Sequence, residues 1–107
     1  MPDQYYEYGD ITFVWDEEKN KTNIRKYGIS FETAALVFND EMRLEFEDNT
    51  HGDEVRYNTI GLVQEVLFVV YVDRQDRGDG EDIRLISARL ATKAEVQMYN
   101  NIVSGRF

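Results

Sequence analysis

A chain of 107 residues with 42% hydrophobic and 13% aromatic content has the length of one domain and enough apolar matter to fold, which excludes an intrinsically disordered protein despite 31% charge. It holds no cysteine and a single histidine, His51, so disulfides, thiolate nucleophiles and a histidine- or cysteine-built metal centre are excluded, and neither a metal nor another cofactor is expected. The formal charge of −9 is unevenly placed: residues 1–18 carry six acids and no base, residues 40–54 carry seven acids against Arg43 alone, and residues 19–39 are net +3.

The opening MPDQYYEYGD is acidic and polar where a secretion signal would be basic and then apolar, and the longest apolar run, the seven residues Val66 to Val72, is too short to cross a bilayer. A cytoplasmic protein without membrane contact is expected. Residues 1–10 read as a loosely ordered acidic tail, with Tyr5-Tyr6-Glu7-Tyr8 as a less favoured docking strip. Ile11 to Trp15 alternates as a strand and ends at Asp16, a helix N-cap followed by Glu17 and Glu18 at the positive end of the dipole. Arg25 and Lys26 in the last turn and Gly28 beyond it close this helix over residues 16–27. Ser30 caps a second, short helix whose Phe31, Ala34, Ala35 and Phe38 recur at helical spacing, so the two helices form a hairpin.

Met42 to Glu47 alternates like a strand with one wet face, and the polar run Asp48 to Asp53 reads as a turn or loop. Val55 to Leu62 and Glu65 to Asp73 follow as strands, the second apolar enough to be central, with Gly61 marking a bulge or close packing. Arg74 to Asp82 reads as a solvated hairpin connection. Asp73, Asp76, Asp79 and Asp82 recur there, but the spacing and closing glutamate of a calcium loop are missing. Ile83 to Leu90 is the last strand, where opposite parity puts Arg84 and Arg89 on opposite faces. Thr92 to Glu95 forms a capping box, and Val96, Tyr99 and Val103 line one side of a closing helix that ends by Gly105. The expected fold is α+β, a largely antiparallel sheet with an N-terminal helical hairpin and a C-terminal helix in the order β-α-α-β-β-β-β-α, a single domain over residues 1–107.

The chain also resembles the BrnT family of type II toxin proteins. The matching residues run from Phe13-Val14-Trp15-Asp16 through Lys19, Asn23, Arg25 to Glu32, Ala34-Ala35, Phe38 and Asp40. They continue in His51, Glu54, Arg56, Thr59-Ile60-Gly61 and Val69 to Tyr71, and end on Ile83-Arg84-Leu85-Ile86-Ser87-Ala88-Arg89, the most specific element. The resemblance implies a RelE-like fold and metal-independent cleavage of RNA, on or off the ribosome, that inhibits translation. It also implies neutralisation by a BrnA-like ribbon-helix-helix antitoxin, without which the chain would not touch DNA directly.

Such cleavage needs the ribose 2′-hydroxyl deprotonated, the phosphate charge stabilised and a proton supplied to the departing 5′-oxygen. Arg56 and Arg89 are candidates for the phosphate, since a guanidinium fork matches two oxygens at any physiological pH, although structural ion pairing is the commoner use of a sheet arginine. For proton transfer the candidates are Glu54, which could instead hold Arg56 in place, His51 in its acidic loop, and Tyr27. The family usually has histidine where Tyr27 stands, between Lys26 and Gly28; tyrosine can donate a proton or stack on a base, and Lys26 could lower its pKa, but it can equally be a packing residue. Tyr27 and the −9 charge favour a rival reading, a degenerate toxin fold acting as a protein-binding module.

Overall fold

A computed structural model describes residues 3–73 and 81–105. Its elements are β1 (Asp3–Tyr8), β2 (Ile11–Asp16), α1 (Glu17–Tyr27), α2 (Phe31–Ala35) running into a 3-10 turn (Leu36–Asn39), β3 (Leu44–His51), β4 (Glu54–Leu62), β5 (Val66–Asp73), β6 (Glu81–Leu90) and α3 (Lys93–Val103). The connection expected over Arg74 to Asp82, with its calcium-loop alternative, lies largely outside the described residues.

The helix signals act as the sequence reads. Asp16 accepts the Glu18 N–H at 2.8 Å, and Gly28, at φ 74°, donates its N–H to the Ile24 carbonyl at 2.8 Å. What docks α1 is polar. Buried Asn20 accepts the Phe31 N–H at 2.8 Å and so sets the elbow between α1 and α2. Buried Asn23 donates to the Ile29 and Ala88 carbonyls at 2.8 and 2.7 Å and accepts the Ala88 N–H at 3.1 Å. It satisfies both backbone groups of one β6 residue, as a neighbouring strand would.

The six strands form one sheet in the order β1-β2-β6-β5-β4-β3, antiparallel at every junction except β2–β6, which is parallel. Residues 3–8 are therefore an edge strand rather than the loose tail expected. The reason is tertiary: Tyr6 packs its ring 6.5 Å from Phe13 and 6.1 Å from Trp15, while Asp3 ion-pairs with Arg84. β3 likewise runs on to His51, taking in four of the six residues of the expected loop, with its register shifting between Asp48 and His51.

One face of the sheet carries the main core. Phe13, Trp15, Leu67, Val69, Ile83, Leu85 and Ala88 are buried there against Ile29, Phe31, Ala34, Ala35 and Val37 of the hairpin. Gly61 marks close packing, because a Cβ there would stand 2.5 Å from Val37 Cγ2. The bulge lies instead in β6: Val70 pairs with Ser87 but Tyr71 with Leu85, so the strand holds one extra residue. Burial then falls on Ile83, Leu85 and Ala88, and the parity expectation is corrected. The bulge returns Arg84 and Arg89 to the same face, opposite the core.

That second face is partly covered by α3. Thr92 and Glu95 make the expected capping box, and buried Tyr99 donates its hydroxyl to Asp40, which also accepts the Leu62 and Met42 N–H groups at 2.8 and 2.9 Å. Of the apolar stripe expected on α3, only Tyr99 is buried; Val103 is 47% exposed. No helix among the described residues is long and apolar enough to cross a membrane.

Candidate functional site

Arg56 and Glu54 come together. They sit two apart on β4, and the Arg56 Nε donates to Glu54 Oε2 at 3.1 Å, both side chains part-exposed. Asp48 lies opposite Arg56 in register, and His51, paired across from Glu54, reaches Asp48 Oδ2 at 3.2 Å. The Thr50 hydroxyl and N–H, with the nearby His51, hold the Asp48 carboxyl below its usual range. The end of the β3–β4 hairpin thus gathers one arginine, one histidine and three acids or hydroxyls, all near the surface.

Arg89 does not join them. Its Nη1 and Nη2 donate to the two Glu95 oxygens at 2.9 and 3.1 Å, Nη1 also reaches the Leu90 carbonyl at 3.0 Å, and its guanidinium lies 4.0 Å from the Phe68 ring centroid. The hydrogen bonds that Arg89 donates to Glu95 push the arginine pKa up and hold the Glu95 carboxyl down. Glu95 also accepts the Thr92 N–H at 2.8 Å, so the same carboxylate caps α3 and ties it to the sheet. Phe68 pairs with Ile60 on β4, four residues beyond Arg56, so the two arginines expected to converge stand on one face but apart, each on its own carboxylate. Arg84 follows the same rule, with Nη2 and Nη1 on the Asp3 oxygens at 3.0 and 3.2 Å.

Lys26 and Tyr27 do come together, with the ammonium 5.3 Å from the ring centroid and the ring 40% exposed. They line a groove of about 320 Å³ between α1 and β6, with Glu18, Lys19, Thr22 and Asn23 on the helix wall and Ile86 and Ser87 on the strand wall. The walls follow from local structure. Lys19 and Lys26 are seven apart, two helical turns, so they share one side of α1 about 10 Å from each other along its axis. Asn23 holds α1 against β6 at Ala88, and the bulge turns Ser87 outward into the gap. Neither Lys19 nor Lys26 makes an ion pair among the described residues.

The two remaining arginines of β6 frame this groove. Arg89 stands within electrostatic reach of Tyr27 at one end of α1, and Arg84 within reach of Asp16 at the other. Basic side chains therefore follow the helix and the strand together, the two arginines each held by a carboxylate and Lys19 and Lys26 with no ion pair among the described residues, on a chain whose net charge is −9. Sequence reading singled out Lys26 and Tyr27 but gave no role to Lys19 or Ser87. The seven-residue spacing of the lysines on a helix with clear ends was the available signal for the first; the bulge that presents Ser87 had none. Among the described residues no three histidine, cysteine or acidic side chains are grouped as metal ligands would be.

The comparisons bear on the same elements. The family model described as "Ribonuclease toxin, BrnT, of type II toxin-antitoxin system" matches residues 15–95. The crystal structure of the Brucella abortus ribonuclease toxin BrnT is similar at 31% identity and a TM-score of 0.51, over 74% of this chain and 94% of that one. No curated protein matches. Since the family match takes in α1, both walls of the groove and all three paired sheet arginines, the chain belongs to the BrnT ribonuclease toxins of type II toxin-antitoxin systems.

Proposed function

We propose that this chain is a metal-independent endoribonuclease of RelE-like fold that inhibits translation in the cytoplasm and is held inactive by a small BrnA-like ribbon-helix-helix antitoxin. The observation that carries the reading is the groove. Two lysines with no ion pair among the described residues stand on one side of α1, in a groove that Tyr27 and Ser87 also line, on an otherwise acidic protein. A polyanion is the substrate class such a groove attracts, and the nearby acids confine the attraction to it.

In the reaction the ribose 2′-oxygen attacks phosphorus, the bond to the 5′-oxygen breaks, and the products are a 2′,3′-cyclic phosphate and a 5′-hydroxyl. Lys19 and Lys26 hold the phosphate charge, and Tyr27, beside Lys26, gives the proton to the departing 5′-oxygen or stacks on the neighbouring base. Glu18, the carboxylate among the groove's lining residues, takes the 2′-hydroxyl proton, while Arg56, oriented by Glu54, contacts RNA farther along the open face. Arg89 acts as a positioning residue that ties α3 to β6.

Induced expression without antitoxin is expected to arrest bacterial growth, and Lys26→Ala to relieve the arrest while the protein stays folded. Purified protein should cleave RNA in excess EDTA, and Tyr27→Phe should slow cleavage about a hundredfold if the hydroxyl is the proton donor. A soluble, folded wild-type chain that leaves growth untouched overturns the reading. It would favour instead a non-catalytic module binding other proteins, for which the pairing of Arg56, Arg84 and Arg89 with carboxylates speaks.

A further inference from the structure

We propose that Arg84 is a phosphate-binding residue of the groove and that Asp3, on the N-terminal edge strand, is its built-in competitor. The proposal deepens the ribonuclease reading and rests on it. Arg84 lies at the end of the groove where α1 begins, on the open face of the sheet, and the β6 bulge sets it on the same side as Arg89. It also shares a cross-strand row with Arg56. Arg84 pairs with Val72, and Arg56 stands one step beyond the Tyr57–Tyr71 pair on the far side of Val72, about 10 Å from Arg84 by strand spacing. A chain of phosphates leaving the groove toward Arg56 would pass over Arg84.

In the structure that guanidinium is taken. Both Asp3 oxygens accept from it, Asp16 adds a second negative charge nearby, and Tyr5 of the same edge strand lies beside it. Asp3 presents two oxygens in the geometry a phosphodiester would, and its side chain is 37% exposed, so water and ions reach the pair. β1 is also the strand that precedes the family match, which begins at residue 15. The carboxylate that occupies Arg84 is therefore an attachment to the matched region. A part-exposed pair of this kind contributes little to stability, so a polyanion held by Lys19 and Lys26 can displace the carboxylate.

The test is binding of the full-length protein to a fluorescein-labelled single-stranded 2′-O-methyl RNA, which cannot be cleaved because the attacking oxygen is blocked. Asp3→Asn is expected to tighten binding up to about five-fold and to steepen the log–log salt dependence by about 0.7, the increment of one added phosphate contact on a single strand. Glu7→Gln, the same charge change on the same side of β1, as far from the Arg84 row as Asp3 but on its other side and not among the groups acting on Arg84, is expected to leave the slope unchanged. Adding Arg84→Gln to Asp3→Asn should return affinity and slope to the wild-type values or below, with thermal melts confirming that each variant is folded.

The proposal is overturned if Asp3→Asn behaves like Glu7→Gln, or if its gain survives Arg84→Gln. It is overturned separately from the ribonuclease reading when Lys26→Ala still weakens binding. If Lys19→Ala and Lys26→Ala also leave binding unchanged, both fall.

Discussion

On one face of the sheet Phe13, Trp15, Val69 and Leu85 are sealed under the helical hairpin, whereas on the other Arg56, Arg84 and Arg89 each stand against a carboxylate. The first face removes apolar area from water, which contributes roughly 25 cal/mol per Å². The second gathers charges whose pairing contributes little to stability when it is exposed. The difference separates two tasks: the hairpin face makes the fold, and the arginine face keeps charged side chains in position at small energetic cost, where a ligand can compete for them.

Two neighbours on β5, Val69 and Val70, face opposite sides of the sheet. Val69 is fully buried under the hairpin, so Val69→Asp should abolish folding, seen as loss of the cooperative thermal transition. Val70 points to the arginine face and is part-exposed, so Val70→Asp should leave a folded protein. If both unfold, the second face is as much core as the first.

A smaller effect is expected where the two faces share a backbone. Asn23→Ala removes the partners of both Ala88 backbone groups and should cost about 2–4 kcal/mol in denaturant unfolding. A loss below about 1 kcal/mol would mean that water replaces the asparagine and that α1 is held by something else. Asp16→Ala removes only an N-cap and should cost about 1 kcal/mol.

Proton linkage sharpens the picture of the α3 anchor. Burial and the hydrogen bond to Asp40 push the Tyr99 hydroxyl from 10.0 up to about 12. A raised folded-state pKa means that this contribution is fully present below pH 10 and is lost as pH rises toward about 12. On the acid side, burial raises the Asp40 pKa, but the bonds from Tyr99, Leu62 and Met42 outweigh it and leave it lowered. Its contribution is therefore present above the ordinary carboxylate value and lost as pH falls through the lowered one. Tyr99→Phe should flatten the stability profile between pH 10 and 12, read by chemical unfolding at each pH. The smallest effect belongs to Arg56→Ala, expected within about 0.5 kcal/mol in stability because its pair with Glu54 is exposed.

Local signals were legible and long-range ones were not. Asp16, Gly28, Ser30 and the Thr92–Glu95 box mark helix ends through bonds made within a few residues, and each is made as read. β1 was missed because Tyr5-Tyr6-Glu7-Tyr8 becomes a strand only when β2 lies beside it. Parity misplaced Arg84 relative to Arg89 because the extra residue of β6 is visible only in its pairing with β5. The carboxylates on Arg84 and Arg89 show the same limit at two ranges, Asp3 being distant in sequence and Glu95 close but already assigned to capping. Lys26 and Tyr27 were found from neighbours in sequence, while the groove they line required knowing that Asn23 binds β6.

Strand β6 lies between β2 and β5, so it joins the part of the sheet made first in the chain to the part made later. Until about residue 90 has left the exit tunnel, the β3–β5 meander and the β1–β2 ribbon have no shared partner, and the strand wall of the groove does not exist. Closing the sheet then requires one contact that spans most of the chain, the kind of late, long-range step that slows folding. Completion of the cleft thereby waits on the synthesis of β6, and a nascent chain cut short before that strand would carry α1 and its lysines with nothing to face them.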